Sequence, residues 1–532
     1  MTPLEVLQRY PAHDYTLLGA LASRAARIPG HVFIEFADTR LSYAEALERV
    51  RATSAALAAR GVKAGDRIAV MSHNHPATVL VFLALAGLGA TMVGVNPDFG
   101  EKEARYVLEH SAASAIVCSL AALPTARAVA ETLPARPWIM TNEANAAGLP
   151  DLPGELARAG RPPAPAGRPG DVCVFVYTSG TTGFPKGVMH GQRSVVLAGE
   201  GFVRRMHLDP ADRILCIMPM FHVNAIFYSL TGTIAAGATL LLEEKFSASR
   251  FWETVAARRA TEANTIAAVM NILMRRAREE FRPGHTLTRI YGAPFSPEIY
   301  RVFEEEFGVP HLIEGYGMSE IPGACSNPFD GERRKCSMGR PSLHPDPAVS
   351  LAEVKIVDED GHDAPDGATG EIAVRTPTIM QGYYRDPEAT AAAFRDGWFL
   401  TGDLGRRDAD GYFWFVARKK DIIRRRGENI AGAEIDRVAG DHPEVVEAAA
   451  IGVPAELGED EVLLVVVKQP GSALTERDVA EWCRARLAAF KVPRFVLFVE
   501  ALPHTPTHRV AKFELRKDAS LRSRAVDVGH GS

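Results

Sequence analysis

An apolar run, Val172-Cys173-Val174-Phe175-Val176-Tyr177, passes straight into Thr178-Ser179-Gly180-Thr181-Thr182-Gly183-Phe184-Pro185-Lys186-Gly187, and this junction constrains the chain more than any other feature. A continuous apolar run of this length reads as a strand covered on both faces. The glycines of the following loop let backbone N–H groups approach an anion, and the hydroxyls add donors. Lys186 supplies a compact positive charge suited to phosphate. The loop is not a Walker A motif, which requires Gly-Lys-Ser/Thr; here Pro185 precedes the lysine and Gly187 follows it. A hydroxyl-rich turn without a ligand is the plain alternative.

The pattern around this junction predicts an α/β fold. Arg67–Met71, Ala115–Cys118, Ile214–Met218 and Ala238–Leu242 read as strands, with helical stretches such as Tyr43–Arg60 and Arg250–Arg259 between them. Strands alternating with helices imply parallel or mixed sheets covered by helices. The uncharged stretch Ala77–Val95 approaches membrane-span length, but Gly87, Gly89 and Gly94 break it. It is read as a buried helix over about Pro76–Ala86 and a buried strand over Thr91–Val95, and no membrane span is expected. Beyond Pro341 short strands (Val354–Asp358, Glu371–Arg375, Tyr412–Val416) are separated by the turns Asp360-Gly361, Asp366-Gly367 and Asp410-Gly411, which marks a small antiparallel part. A compact α+β pattern follows: helix Ala433–Asp441, strands Val446–Val453 and Val462–Lys468, helix Glu476–Ala488 and strand Phe495–Val499. The expected division is 1–418 for a large domain and 419–532 for a small one.

Composition excludes several classes. A formal charge of −5 offers no basic field for nucleic acid. Six scattered cysteines without a C-x-x-C pair suggest neither a disulfide framework nor a zinc site, and fit a reducing, cytoplasmic setting. The N-terminus lacks the basic and apolar regions of a secretory signal. His504 and His508 are four apart, but Pro506 between them favours loop histidines over a metal pair.

The string Tyr177–Gly187 resembles the signature loop of the adenylate-forming superfamily, and further motifs follow in that superfamily's order across nearly the whole chain. The resemblance is to its AMP-forming acyl-CoA synthetases. It implies that Thr178, Ser179, Gly180, Thr181, Thr182, Gly183 and Lys186 hold the phosphates of ATP. Tyr291-Gly292-Ala293-Pro294 resembles the turn that flanks adenine. Glu314-Gly315-Tyr316-Gly317-Met318-Ser319-Glu320 resembles the second signature: Tyr316 stacks on adenine, Ser319 bonds the α-phosphate and Glu320 binds Mg²⁺. The superfamily more often has Thr at the Ser319 position; Ser keeps the hydroxyl. Thr401-Gly402-Asp403 resembles the ribose element, and Arg418, 15 residues beyond Asp403, falls across a hairpin on the same edge.

The same resemblance makes Lys420 the hinge of a mobile C-terminal domain and gives the antiparallel part a β-barrel-like character. Arg424-Arg425-Arg426-Gly427-Glu428-Asn429-Ile430 looks most like the carnitine-CoA ligase branch; Gly427 leaves room for the pantetheine arm, and Lys491 is a second coenzyme A candidate. The superfamily's final motif ends in Gly-Lys, whose lysine contacts the acid and the α-phosphate. Here His508-Arg509 stands at that place. Lys512, three residues on, is taken as the C-terminal catalytic cation, with Arg509 as the alternative. Met218-Pro219-Met220-Phe221-His222-Val223-Asn224-Ala225 matches the acyl-pocket segment, so His222, Val223, Asn224 and Phe227 are its candidate lining, with core packing the competing reading. The implied reaction is activation of a carboxylic acid by ATP and Mg²⁺ and transfer of the acyl group to coenzyme A. An adenylating enzyme with a carrier-protein or oxidative, luciferase-like acceptor, or a silent nucleotide-binding homologue, are the alternatives. A homodimer is compatible with the sequence.

Overall fold

The structure, a computed structural model, describes residues 1–145, 148–178, 185–425, 428–454, 460–504 and 510–529. The chain forms two compact units, the first holding Met1–Gly180, Pro185–Val354 and Val374–Trp398, the second Lys355–Ala373 and Phe399–Ser532.

The first unit is built on two sheets. The seven-stranded sheet has the spatial order 382–383, 186–191, 172–178, 91–95, 67–71, 115–118, 138–141. Its interior is parallel, from Trp138–Thr141 across to Val172–Thr178, and it ends in two antiparallel pairings, Val172–Thr178 with Lys186–Gly191 and Gly382–Tyr383 with Lys186–Gly191. The nine-stranded sheet is parallel from Val32–Phe36 through Thr239–Leu242, Arg213–Cys216, Glu262–Asn264 and Arg289–Gly292 to His311–Met318, which turns back in a hairpin to Ile321–Ser326. The helix Pro76–Leu88 is buried at every position, as expected of a helix apolar all round. It ends on Gly89 in the left-handed region and passes into the strand Thr91–Val95. Its side chains share one core with Ile68 and Met92 of the first sheet and Phe33, Ile34 and Leu240 of the second, so it belongs to the layer between them. Among the described residues no helix is long and apolar enough to cross a membrane.

The second unit contains the antiparallel pair Trp398–Arg407 and Phe413–Arg418 and a four-stranded sheet ordered Val445–Pro454, Asp460–Lys468, Phe495–Phe498, Val526–Asp527. Helices Gly432–Gly440 and Glu476–Arg484 cover one face of that sheet through Ile435, Val438, Val479 and Cys483. Leu515 and Leu521, from two short C-terminal helices, pack on the other.

Several element bounds differ from expectation for a physical reason. The strand predicted over Tyr412–Val416 runs Phe413–Arg418, because its partner continues to supply ladder bonds as far as Asp403. The strand predicted over Ile214–Met218 stops at Cys216, shortly before Pro219, which has no N–H to donate. Helix Glu476–Ala488 stops at Arg484. Asn224–Leu230, given no element from sequence, is a π-helix, and Lys512–Lys517, read as a loop end, is a helix.

Candidate active site

In the first unit Lys186, expected at the ATP phosphates, and Glu320, expected at Mg²⁺, are joined by a third residue, Tyr383. The strand Lys186–Gly191 leaves the phosphate loop paired with Val172–Thr178, Thr178 opposite Lys186. The Tyr106 hydroxyl donates to the Pro185 carbonyl at 2.9 Å, fixing the exit of the loop. Ser179, Gly180, Thr181, Thr182 and Gly183, the loop's own candidates, lie outside the described residues. Lys186 Nζ sits 4.6 Å from the centre of the Tyr383 ring and 3.5 Å from Asp386 Oδ2. The Tyr383 hydroxyl donates to Glu320 Oε1 at 2.8 Å. Glu320 is buried. Burial and the neighbouring carboxylate push the Tyr383 phenol up from its ordinary value, so it stays a donor. Sequence reasoning missed Tyr383 and Asp386; a Tyr doublet after Gly382 in a turn-rich stretch was the only local signal, and nothing in it points to residues 186 or 320.

The second signature forms the hairpin His311–Met318 to Ile321–Ser326, with Tyr316 opposite Cys325 and half-buried. Gly315 is required by close approach: a Cβ there would lie 2.6 Å from the Tyr291 hydroxyl and 2.9 Å from the Cys325 carbonyl. Glu314 is turned inward. Its carboxylate accepts from the Phe295 amide at 3.0 Å and from the Tyr300 hydroxyl at 2.9 Å, bracing the chain just after Gly292-Ala293-Pro294. Burial raises its pKa to about 7, against the opposing pull of those two bonds. Gly292, Ala293 and Pro294 therefore sit in a turn held from inside, with a cis Ala293-Pro294 bond. The Ser319 carbonyl accepts from His190 Nε2 at 2.7 Å.

The acyl-pocket candidates occupy the start of the π-helix and the residues before it. His222, Val223 and Asn224 are half-buried, while Phe227 is fully buried and makes a T-shaped contact with His190, ring centres 4.8 Å apart.

In the second unit Asp403 and Arg418 face each other in register, Arg418 Nε 3.3 Å from Asp403 Oδ1. Thr401 and Gly402 fix the approach: the Thr401 hydroxyl donates to the Ile372 carbonyl at 2.9 Å, and the Gly402 amide donates to Glu371 Oε1 at 2.9 Å with φ at +69°. Two residues past Arg418, Lys420 lies in the short 3₁₀ turn Lys419–Asp421. Burial lowers its pKa, with Asp421 acting the other way and Arg418 adding to the lowering.

The remaining C-terminal candidates are engaged within the same unit. Lys512 opens a helix and pairs with Asp436 Oδ2 at 2.5 Å; Asp436, half-buried, also accepts from the Ala450 amide at 2.6 Å. Lys491 pairs with Glu434 at 2.7 Å. Arg425, part of the Arg424–Ile430 string that resembles the carnitine-CoA ligase branch, is buried: its guanidinium donates to the Phe490 and Val492 carbonyls at 2.9 Å each and pairs with Glu461 at 2.7 Å. Gly427 and Arg509 lie outside the described residues.

Comparison with known proteins bears on the family of the chain. Residues 21–384 match the model of the AMP-binding enzyme family, and residues 434–509 match that of the AMP-binding enzyme C-terminal domain. The chain is 33% identical over 513 residues to a sulfoacetate–CoA ligase of Cupriavidus necator, covering 95% of this chain and 98% of the relative. It is 33% identical over 496 residues to an indoleacetate–CoA ligase of Aromatoleum aromaticum, covering 92% and 95%. Among solved structures, ATP-bound MatB from Rhodopseudomonas palustris superposes with a TM-score of 0.85 at 28% identity, over 95% of this chain and 98% of that one. With both modules matched in order and relatives aligned from end to end, the chain belongs to the AMP-binding enzyme family.

Proposed function

We propose that the chain, an AMP-forming acid–CoA ligase, performs both half-reactions with the residues described above. The observation that carries the first is the joining of Lys186 and Glu320 through Tyr383. A carboxylate does not react directly with a thiol, because its leaving group would be oxide. Attack of the acid on the α-phosphorus of ATP expels pyrophosphate and leaves an acyl-adenylate whose leaving group is AMP. Lys186 and the Ser319 hydroxyl stabilise the charge that develops on the phosphate oxygens. Glu320 fits Mg²⁺ as a buried hard oxygen donor, one protein carboxylate alongside substrate phosphates being a common set for that ion. Bound there, Mg²⁺ supplies charge neutralisation at the phosphates. Asp403 accepts from the ribose hydroxyls, and Arg418 opposite it orients that carboxylate.

For the second half-reaction the coenzyme A thiol attacks the acyl carbon and AMP leaves. The boundary at 418/419 and the hinge at Lys420 supply the domain rotation that exchanges one set of C-terminal residues for another. Gly427 and Lys491 are proposed to face coenzyme A. The pairing of Lys512 with half-buried Asp436 supports a fixed role for this lysine and favours Arg509 as the C-terminal cation of adenylation. The acid sits against His222, Val223, Asn224 and Phe227. The six free cysteines are in keeping with a cytoplasmic setting.

The test is incubation with ATP, Mg²⁺, coenzyme A and a panel of acids that includes sulfoacetate and indoleacetate. Pyrophosphate, AMP and an acyl-CoA are the expected products; ADP in place of AMP overturns the mechanism.

A further inference from the structure

Three parts of the site meet at one buried side chain that the mechanism above does not use. His190 lies on the strand Lys186–Gly191, two alternations from Lys186, so both side chains leave the same face of the sheet. It is fully buried. Its Nε2 lies 2.7 Å from the Ser319 carbonyl, which can only accept, so Nε2 carries the proton and Nδ1 faces the Ser194 hydroxyl at 3.3 Å. Its ring meets that of Phe227, an acyl-pocket candidate, at an interplanar angle of 72°. On the far side of the turn that it holds, the Glu320 carbonyl accepts from the Met380 amide at 2.8 Å and the Glu320 carboxylate from Tyr383. The Ser319-Glu320 turn is thus suspended between two fixed points, and His190 is the one that also touches the acyl side.

We infer that His190 is a positioning residue: by holding the Ser319 carbonyl it sets the Ser319 hydroxyl and the Glu320 carboxylate against Mg·ATP, and through Phe227 it makes that placement sensitive to the acid in the pocket. Burial drops the imidazole's pKa to about 4, so the ring remains the neutral single donor this geometry needs. A core histidine serving packing alone would be replaceable by an apolar side chain of similar volume. A positioning donor is replaceable only by a group that presents an N–H at the same place.

The inference rests on the adenylation reading, and the experiment separates the two. ATP–pyrophosphate exchange is measured at varied Mg²⁺·ATP and acid for the wild type, His190→Leu and His190→Gln, with the melting temperature of each. Leu fills the space and leaves the Ser319 carbonyl without its donor; the expected loss in kcat is about 10- to 100-fold. The Mg²⁺ concentration for half-activation rises, and acid no longer lowers the KM for ATP. Gln carries an N–H at the reach of Nε2 and recovers activity to within a few-fold of wild type. Equal activity in all three proteins, or equal loss in Leu and Gln in step with their melting temperatures, overturns the inference. Should His190→Leu not fold, His190→Asn takes its place, its amide too short to reach the carbonyl. Absence of exchange in the wild type with every acid tested instead overturns the adenylation reading itself.

Discussion

At the scale of single residues, the site is defined by partners as much as by the groups that face substrate. Tyr383 has two neighbours of opposite sign, Lys186 over its ring and Glu320 at its hydroxyl. Tyr383→Phe keeps the ring and removes the donor, leaving a buried carboxylate short of one bond. Loss of a hydrogen bond to a charged group costs about 1.5–3 kcal/mol. The expected result is a fall of about 10- to 100-fold in the rate of pyrophosphate release with little change in the KM for the acid; an unchanged rate would remove Tyr383 from the site. Glu314 gives a prediction in pH. Its folded pKa is raised to about 7, above that of an unfolded carboxyl. The folded state therefore holds a proton that the unfolded state has lost between about pH 4.5 and pH 7, and stability falls as pH rises through that window. Glu314→Gln removes the titratable group; its amide oxygen still accepts from the Phe295 amide, and its NH2 donates to the Tyr300 hydroxyl in place of accepting from it. Thermal melts from pH 4.5 to 8 should show a declining contribution in the wild type that is absent in the variant.

At the scale of elements, register decides which groups meet. The hairpin Trp398–Arg407 to Phe413–Arg418 brings Asp403 opposite Arg418 only because the second strand continues to Arg418. Gly402 holds φ at +69° beside them, with nothing within 4 Å of a Cβ built there. Gly402→Ala is therefore a test of backbone conformation free of a steric clash. It should cost about 1–2 kcal/mol of stability and weaken ATP binding by re-aiming Asp403; unaltered ATP affinity would detach the ribose role from this turn. The helix Lys512–Lys517 opens on a lysine bound to half-buried Asp436 of the helix Gly432–Gly440. Lys512→Met leaves that half-buried carboxylate without its cation and should lower the melting temperature of the protein. Arg509→Ala should leave the melting temperature in place and slow adenylation. The reverse pattern, a stable Lys512→Met protein that cannot adenylate, would return the catalytic role to Lys512.

At the scale of the whole molecule, one scaffold carries two chemistries in succession. The acid–CoA ligase first activates the acid at the α-phosphate and then transfers the acyl group to a thiol, and in the mechanism proposed above the change between the two is a rotation of the C-terminal residues. Lys420 stands in a one-turn segment between Phe413–Arg418 and Ile422–Arg425, the place of the proposed hinge. Lys420→Pro fixes φ at that residue. It should preserve one half-reaction and block the other, measured as ATP–pyrophosphate exchange against thioester formation from supplied acyl-adenylate; normal turnover in both would exclude a hinge at this position.

What the sequence determined by itself is the chemistry-bearing strings and the elements that carry them. The apolar run at residues 172–177, the uncharged stretch that became the buried helix Pro76–Leu88, and the spacing from Asp403 to Arg418 are local patterns, and local pattern suffices to place a strand, a helix or a hairpin. What the tertiary structure alone decided is which distant groups share an environment. Nothing near Tyr383 announces Lys186 and Glu320, and nothing near His190 announces the Ser319 carbonyl. Arg425 reads as surface charge until Glu461 and two backbone carbonyls close around it, and Lys512 reads as a free cation until Asp436 takes it. Burial and ion pairing depend on what packs opposite, which is set by sheet order and helix placement rather than by neighbours along the chain.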